Sequence, residues 1–94
     1  MDQKIALITG AGSGVGLACA QRLAKDGFTL VLTGRQQDKI DAACATLDGQ
    51  GHIAVAADVG IEAEVDALFE RVETTFGRLD LLFNNAGRNG SAVE

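Results

Sequence analysis

Ninety-four residues with a net charge of −5, 22% charged and 47% hydrophobic, describe one globular domain at most and exclude a disordered chain. The acidic balance without a basic cluster excludes nucleic acid as a partner, and no run reaches the ~18 apolar residues of a membrane helix. Cys19, Cys44 and the single His52 are too few and too scattered for a metal centre.

In chain order, Lys4 to Thr9 is predicted as a first strand and Val15 to Asp26 as a helix stopped by Gly27. Phe28 to Thr33 is largely apolar, as expected of a strand buried on both faces. A second helix is expected over Gln37 to Leu47, ended by Asp48-Gly49-Gln50-Gly51, then a strand from His52 to Ala57. Ile61, Val65, Leu68, Phe69, Val72 and Phe76 recur at helical spacing, and Gly77 closes that helix. Leu79 to Phe83 is the fourth strand. The cysteines read as small buried hydrophobes and His52 as a solvated loop residue, not a catalytic base. Strand and helix in strict alternation imply an α/β fold with a doubly wound parallel sheet, order 3-2-1-4.

Ligand groups gather at the carboxyl ends of strands in such a fold. The first end carries Thr9-Gly10-Ala11-Gly12-Ser13-Gly14-Val15-Gly16. A strand that empties into a glycine-rich turn and then a helix aims bare N–H groups at one point, which suits a phosphate. The spacing is not the G-x-G-x-x-G of the common dinucleotide fingerprint, because Val15 and Leu17 stand where its last glycine would. No Gly-Lys-Ser/Thr follows, so the phosphate loop of nucleotide triphosphatases is excluded. Thr-Gly-x-x-x-Gly-x-Gly fits, and it resembles the short-chain dehydrogenase/reductase family. Gly10, Ser13, Gly14, Val15 and Gly16 are its cofactor-binding candidates. Ser13 either touches a phosphate oxygen or caps the helix.

About 20 positions after the glycines, an NAD-binding fold places an acidic residue on the ribose 2′-hydroxyl. Counting from Gly14 leads to Gly34, followed by Arg35. A missing carboxylate beside a guanidinium fits a 2′-phosphate, so NADP is the expected cofactor and NAD the alternative. Arg35 could otherwise be solvated, or paired with Asp38. The third end is Asp58-Val59. By resemblance, Asp58 takes the adenine amine and Val59 meets the ring, while helix capping is the other role open to Asp58. The fourth end is Asn84-Asn85-Ala86-Gly87. In the resembled family this motif supports the sheet and lines the cofactor site, which adds Asn85, Ala86 and Gly87 to the candidates. It also speaks, with Arg35, against a methyltransferase of related fold.

The resemblance runs from Lys4 to about Gly87 and implies hydride transfer between the cofactor and a small alcohol or ketone. Its proton donor is a tyrosine, with a lysine four residues further on, and this chain contains no tyrosine. Residues 1–94 are therefore expected to be the N-terminal cofactor-binding part of one longer domain, without a catalytic residue of its own and inactive alone. The bare edge expected at Leu79 to Phe83 points the same way. If Glu94 were the true end, a non-catalytic nucleotide-binding module would be the alternative. A cytoplasmic location is expected, since Met1-Asp2-Gln3-Lys4 leads straight into strand-like sequence. The full-length protein is expected to be a homo-oligomer.

Overall fold

A computed structural model of the chain describes residues 3–12 and 14–84. Its elements are β1 (Ile5–Thr9), α1 (Gly14–Lys25), β2 (Thr29–Gly34), α2 (Gln37–Cys44), β3 (Ile53–Ala56), α3 (Glu62–Phe76) and β4 (Leu81–Asn84). The strands form one sheet in the order β3-β2-β1-β4, with every pairing parallel. Parallel neighbours need a crossover that returns the chain to the same end, and each helix supplies one. The doubly wound order expected from the alternation is the order observed.

Side chains alternate across a strand, and that period divides the core in two. Ala6 and Ile8 of β1, with Leu30 and Leu32 of β2, pack against Ala20 and Ala24 of α1 and Ala43 of α2. Ile5, Leu7 and Val31 face the other way, onto Leu68 and Val72 of α3. α1 and α2 thus cover one face and α3 the other. β1 is buried along its whole length and β2 up to Thr33, which is why both read as largely apolar runs.

The element ends shift for local reasons. Phe28 is not in the strand: its N–H donates to the Leu23 carbonyl (3.0 Å) and the Gly27 N–H to the Ala24 carbonyl (3.1 Å). With Gly27 at φ 99°, this is the left-handed helix stop that Gly27 was expected to make. It draws Phe28 back onto the α1 face of the core. α2 ends at Cys44, short of Leu47, where the turn tightens. The Thr46 N–H and hydroxyl both bond the Ala43 carbonyl, three residues back (3.0 and 2.7 Å).

His52 corrects the expectation of a solvated loop residue. Its Nδ1 accepts the Leu30 N–H at 3.0 Å, and its Nε2 lies 2.6 Å from the Asp48 carbonyl. The two bonds together require the neutral tautomer with its proton on Nε2. The ring therefore pins the entry of β3 to β2 through side-chain chemistry that no spacing rule announces.

Candidate functional site

One row of residues builds the carboxyl edge of the sheet. Asn84, Thr9, Thr33 and Val55 are register partners across β4, β1, β2 and β3. The Thr9 hydroxyl donates to Asn84 Oδ1 at 2.9 Å, and the Thr33 hydroxyl to the Val55 carbonyl at 2.6 Å. Both threonines are buried, so a hydroxyl left unpaired there would cost roughly 1–3 kcal/mol. Each bond instead ties an inner strand to its outer neighbour. Past the row, the Ala11 N–H reaches the Thr33 carbonyl (3.2 Å) and the Ala57 N–H the Gly34 carbonyl (2.9 Å). The loops that leave β1 and β3 are thereby both anchored on the end of β2.

The glycine turn follows Thr9. Gly10 and Gly14 both sit at φ 63°, where a Cβ would strain the backbone, so the turn can reverse tightly into α1. Gly16 is buried within the first turn of α1, and Val15 beside it is exposed. Ser13 lies outside the described residues.

At the end of β2, a cavity of 360 Å³ is lined by Gly10, Gly12, Gly34, Arg35, Gln36, Lys39 and Ile40. The turn and the first turn of α2 meet across it. A Cβ placed on Gly12 would lie 3.5 Å from Lys39 Cβ, and one on Gly34 only 3.0 Å from Ile40 Cγ2. Ile40 is fully buried, so the wall behind Gly34 has little freedom to yield. Arg35 makes no ion pair or side-chain hydrogen bond among the described residues, with Asp38 or with any other group.

Asp58 and Val59 are not among the residues that line this cavity. Val59 is exposed. One Asp58 carboxylate oxygen accepts the Gly60 N–H at 2.9 Å, and the Asp58 N–H donates to Glu64 Oε1 at 2.7 Å. The carboxylate thus closes a local turn and is not the cap of α3. The cap position is Ile61, which has no side-chain hydrogen bond to offer. Asn85, Ala86 and Gly87 lie outside the described residues.

Two contributors escaped the sequence reading. Lys39 lines the cavity from the first turn of α2. Gln37, the first residue of α2, donates to the Ala54 carbonyl and accepts the Ala56 N–H, both at 3.2 Å, which holds α2 beside β3. The one available signal for Lys39 was its place one helical turn beyond Arg35. Cys19 and Cys44 are half-buried against the α1–α2 core and form no disulfide. Burial, then the charge of Asp41, pushes the Cys44 thiol up, away from a reactive thiolate. Among the described residues, no helix is long and apolar enough to cross a membrane, and no cluster of His, Cys, Asp or Glu could hold a metal ion.

Residues 4–94 match the short chain dehydrogenase family. An uncharacterized oxidoreductase of Staphylococcus aureus is 41% identical over 88 residues, covering 94% of this chain and 38% of that protein. Among solved structures, L-sorbose reductase from Gluconobacter frateurii, in complex with NADPH and L-sorbose, is 43% identical with a TM-score of 0.87. That match covers 93% of this chain and 34% of the reductase. The 3-ketoacyl-(acyl-carrier-protein) reductase of Brucella melitensis, in complex with NADH, is 42% identical with a TM-score of 0.80, covering 86% of this chain and 33% of that one. The chain therefore spans about a third of the length of the proteins it matches.

Proposed function

The chain belongs to the short-chain dehydrogenase/reductase family, and from that premise we propose that the full-length protein is an oxidoreductase preferring NADP(H). It would exchange a hydride between the cofactor and the carbon of a small alcohol or ketone. Residues 1–94 are the N-terminal cofactor-binding part of its single domain.

The observation that carries the reading is the cavity at the end of β2, where glycine stands at 34 and the unpaired Arg35 lines the wall. The residues present fit the dinucleotide. The turn at Gly10 and Gly14 leaves backbone close to the site, and Arg35 is a cationic hydrogen-bond donor with no carboxylate partner among the described residues. In this reading Gly10, Ser13, Gly14, Val15 and Gly16 hold the pyrophosphate against the start of α1. Arg35 grips the 2′-phosphate. The free oxygen of Asp58 takes the adenine amine, Val59 meets the ring, and Asn85, Ala86 and Gly87 line the nicotinamide end. The cofactor, when bound, supplies the hydride. A cytoplasmic, homo-oligomeric enzyme with a small-molecule substrate completes the proposal.

Calorimetric titration of the full-length protein with NADPH and NADH tests it. NADPH is expected to bind roughly ten- to a hundredfold more tightly, the ratio of one charge-assisted pair. Arg35→Ala should remove most of that ratio and leave NADH binding nearly unchanged. Equal affinities in the wild type, or a preference that survives Arg35→Ala, would refute the NADP(H) assignment.

One observation favours a second reading, a non-catalytic nucleotide-binding module: the 94 residues contain no tyrosine. Loss of nicotinamide absorbance when the full-length protein meets NADPH and a panel of ketones excludes the module; binding without turnover of any ketone or alcohol supports it.

A further inference from the structure

We propose that Lys39 is a second specificity-determining cation of the β2 cavity, acting with Arg35 on one phosphate monoester; this rests on the NADP(H) reading above. Lys39 and Arg35 line the same 360 Å³ space, together with Gly10, Gly12 and Gly34. The lysine stem starts beside the glycine turn, since a Cβ on Gly12 would lie in ordinary contact, 3.5 Å, from Lys39 Cβ. A flexible four-carbon stem rooted there can bring an ammonium to an anion held by Arg35.

The distribution of charge supports the pairing. In this acidic chain Arg22 pairs with Asp26, Lys25 with Asp48 and Arg78 with Asp80, while Lys4 and Arg71, which form no ion pair among the described residues, do not line the cavity. Neither Arg35 nor Lys39 has an ion-pair or side-chain hydrogen-bond partner among the described residues. Carboxylates are close in sequence, yet Asp41 is taken by the Gln37 amide (2.9 Å) and Asp38 pairs with neither cation. Two uncompensated like charges on one small cavity repel each other until an anion sits between them. A phosphate monoester suits the pair, because the planar guanidinium can bind two of its oxygens while the ammonium acts on it as a point charge. A ribose hydroxyl offers no such charge, so Lys39 should separate phosphorylated from unphosphorylated adenosine and do nothing else.

Calorimetric titration of the full-length protein with 2′,5′-ADP and 5′-AMP isolates that phosphate. The wild type should prefer 2′,5′-ADP. Lys39→Gln should cut the affinity ratio by roughly tenfold or more, with 5′-AMP binding and thermal melting unchanged, as expected for loss of one charged hydrogen bond. Lys39→Arg should restore the ratio, and Arg35→Ala combined with Lys39→Gln should abolish it. A ratio that Lys39→Gln leaves intact while Arg35→Ala lowers it would overturn the role of Lys39 and spare the NADP(H) reading. A wild type with no preference for 2′,5′-ADP would overturn both.

Discussion

Position 34 links cofactor choice to packing. Gly34 ends β2 at the mouth of the cavity, and its missing side chain is already accounted for by Ile40, whose Cγ2 lies 3.0 Å from where a Cβ would stand. An aspartate there would supply the ribose acceptor of an NAD-binding site, yet it would also press on a fully buried methyl group. Gly34→Asp alone should therefore destabilise the protein by about 1–3 kcal/mol, the usual cost of overpacking. Ile40→Leu moves the branch away from Cβ and should recover part of that loss. Urea denaturation of the two single variants and the double variant would measure the coupling. Strict additivity of the two changes would mean that Ile40 is not what keeps position 34 small.

At the scale of elements, the β1–β4 pairing depends on a tie outside the ladder. Asp80 precedes β4, and its Oδ2 accepts the Ile5 N–H at 2.8 Å and the Arg78 Nε–H at 2.9 Å. Its other oxygen takes the Arg78 Nη2 at 2.7 Å. The Asp80 carboxyl is held below its ordinary value, chiefly by the Arg78 hydrogen bonds and next by the Ile5 N–H; the charges of Arg78 and Lys4 add to this, and slight burial opposes it. A depressed carboxyl pKa contributes stability that is present above the unfolded value, near 3.9, and lost as pH falls through the folded value. Asp80→Asn should therefore lower Tm at pH 7, with the gap from wild type closing in acid. Thermal melts between neutral pH and about pH 3 would check this. A gap that stays constant with pH would remove the charge from the account.

The order and type of all seven elements were legible in the sequence, because short apolar runs and a period-3.6 pattern are separated here by glycines at element ends. Their ends were not. Phe28 is as apolar as a strand residue, and only the helix stop at Gly27 takes it out of β2. His52 has the composition of a loop and the hydrogen bonds of a strut. The glycine turn and Arg35 were legible because backbone approach and anion binding demand particular residue types. Lys39 was not, since its meaning depends on Gly12 lying opposite across the cavity.

For the molecule as a whole, the two flanks of the sheet differ. The α1–α2 face is closed by small and aliphatic side chains. On the other flank only Leu68 and Val72 of the α3 stripe are buried, while Ile61 and Phe69 are exposed. Among the described residues β4 pairs with β1 alone, and its Leu81 and Leu82 are 38% and 50% exposed. Apolar surface on an unpaired edge is what natural sheets avoid. In the proposed reading this flank is where the remainder of the enzyme packs, on a chain that spans about a third of the proteins it matches. The cofactor would then lie between a finished wall, made by β1, β2 and α2, and the part that carries the proton donor. A crystal structure of the full-length protein with NADPH tests that arrangement most directly. The account predicts the pyrophosphate over the Gly10–Gly16 turn, the 2′-phosphate within about 3.2 Å of the Arg35 guanidinium, and a further strand beside Leu81 and Leu82. A dinucleotide bound away from the glycine turn, or a 2′-phosphate that leaves Arg35 in solvent, would contradict it.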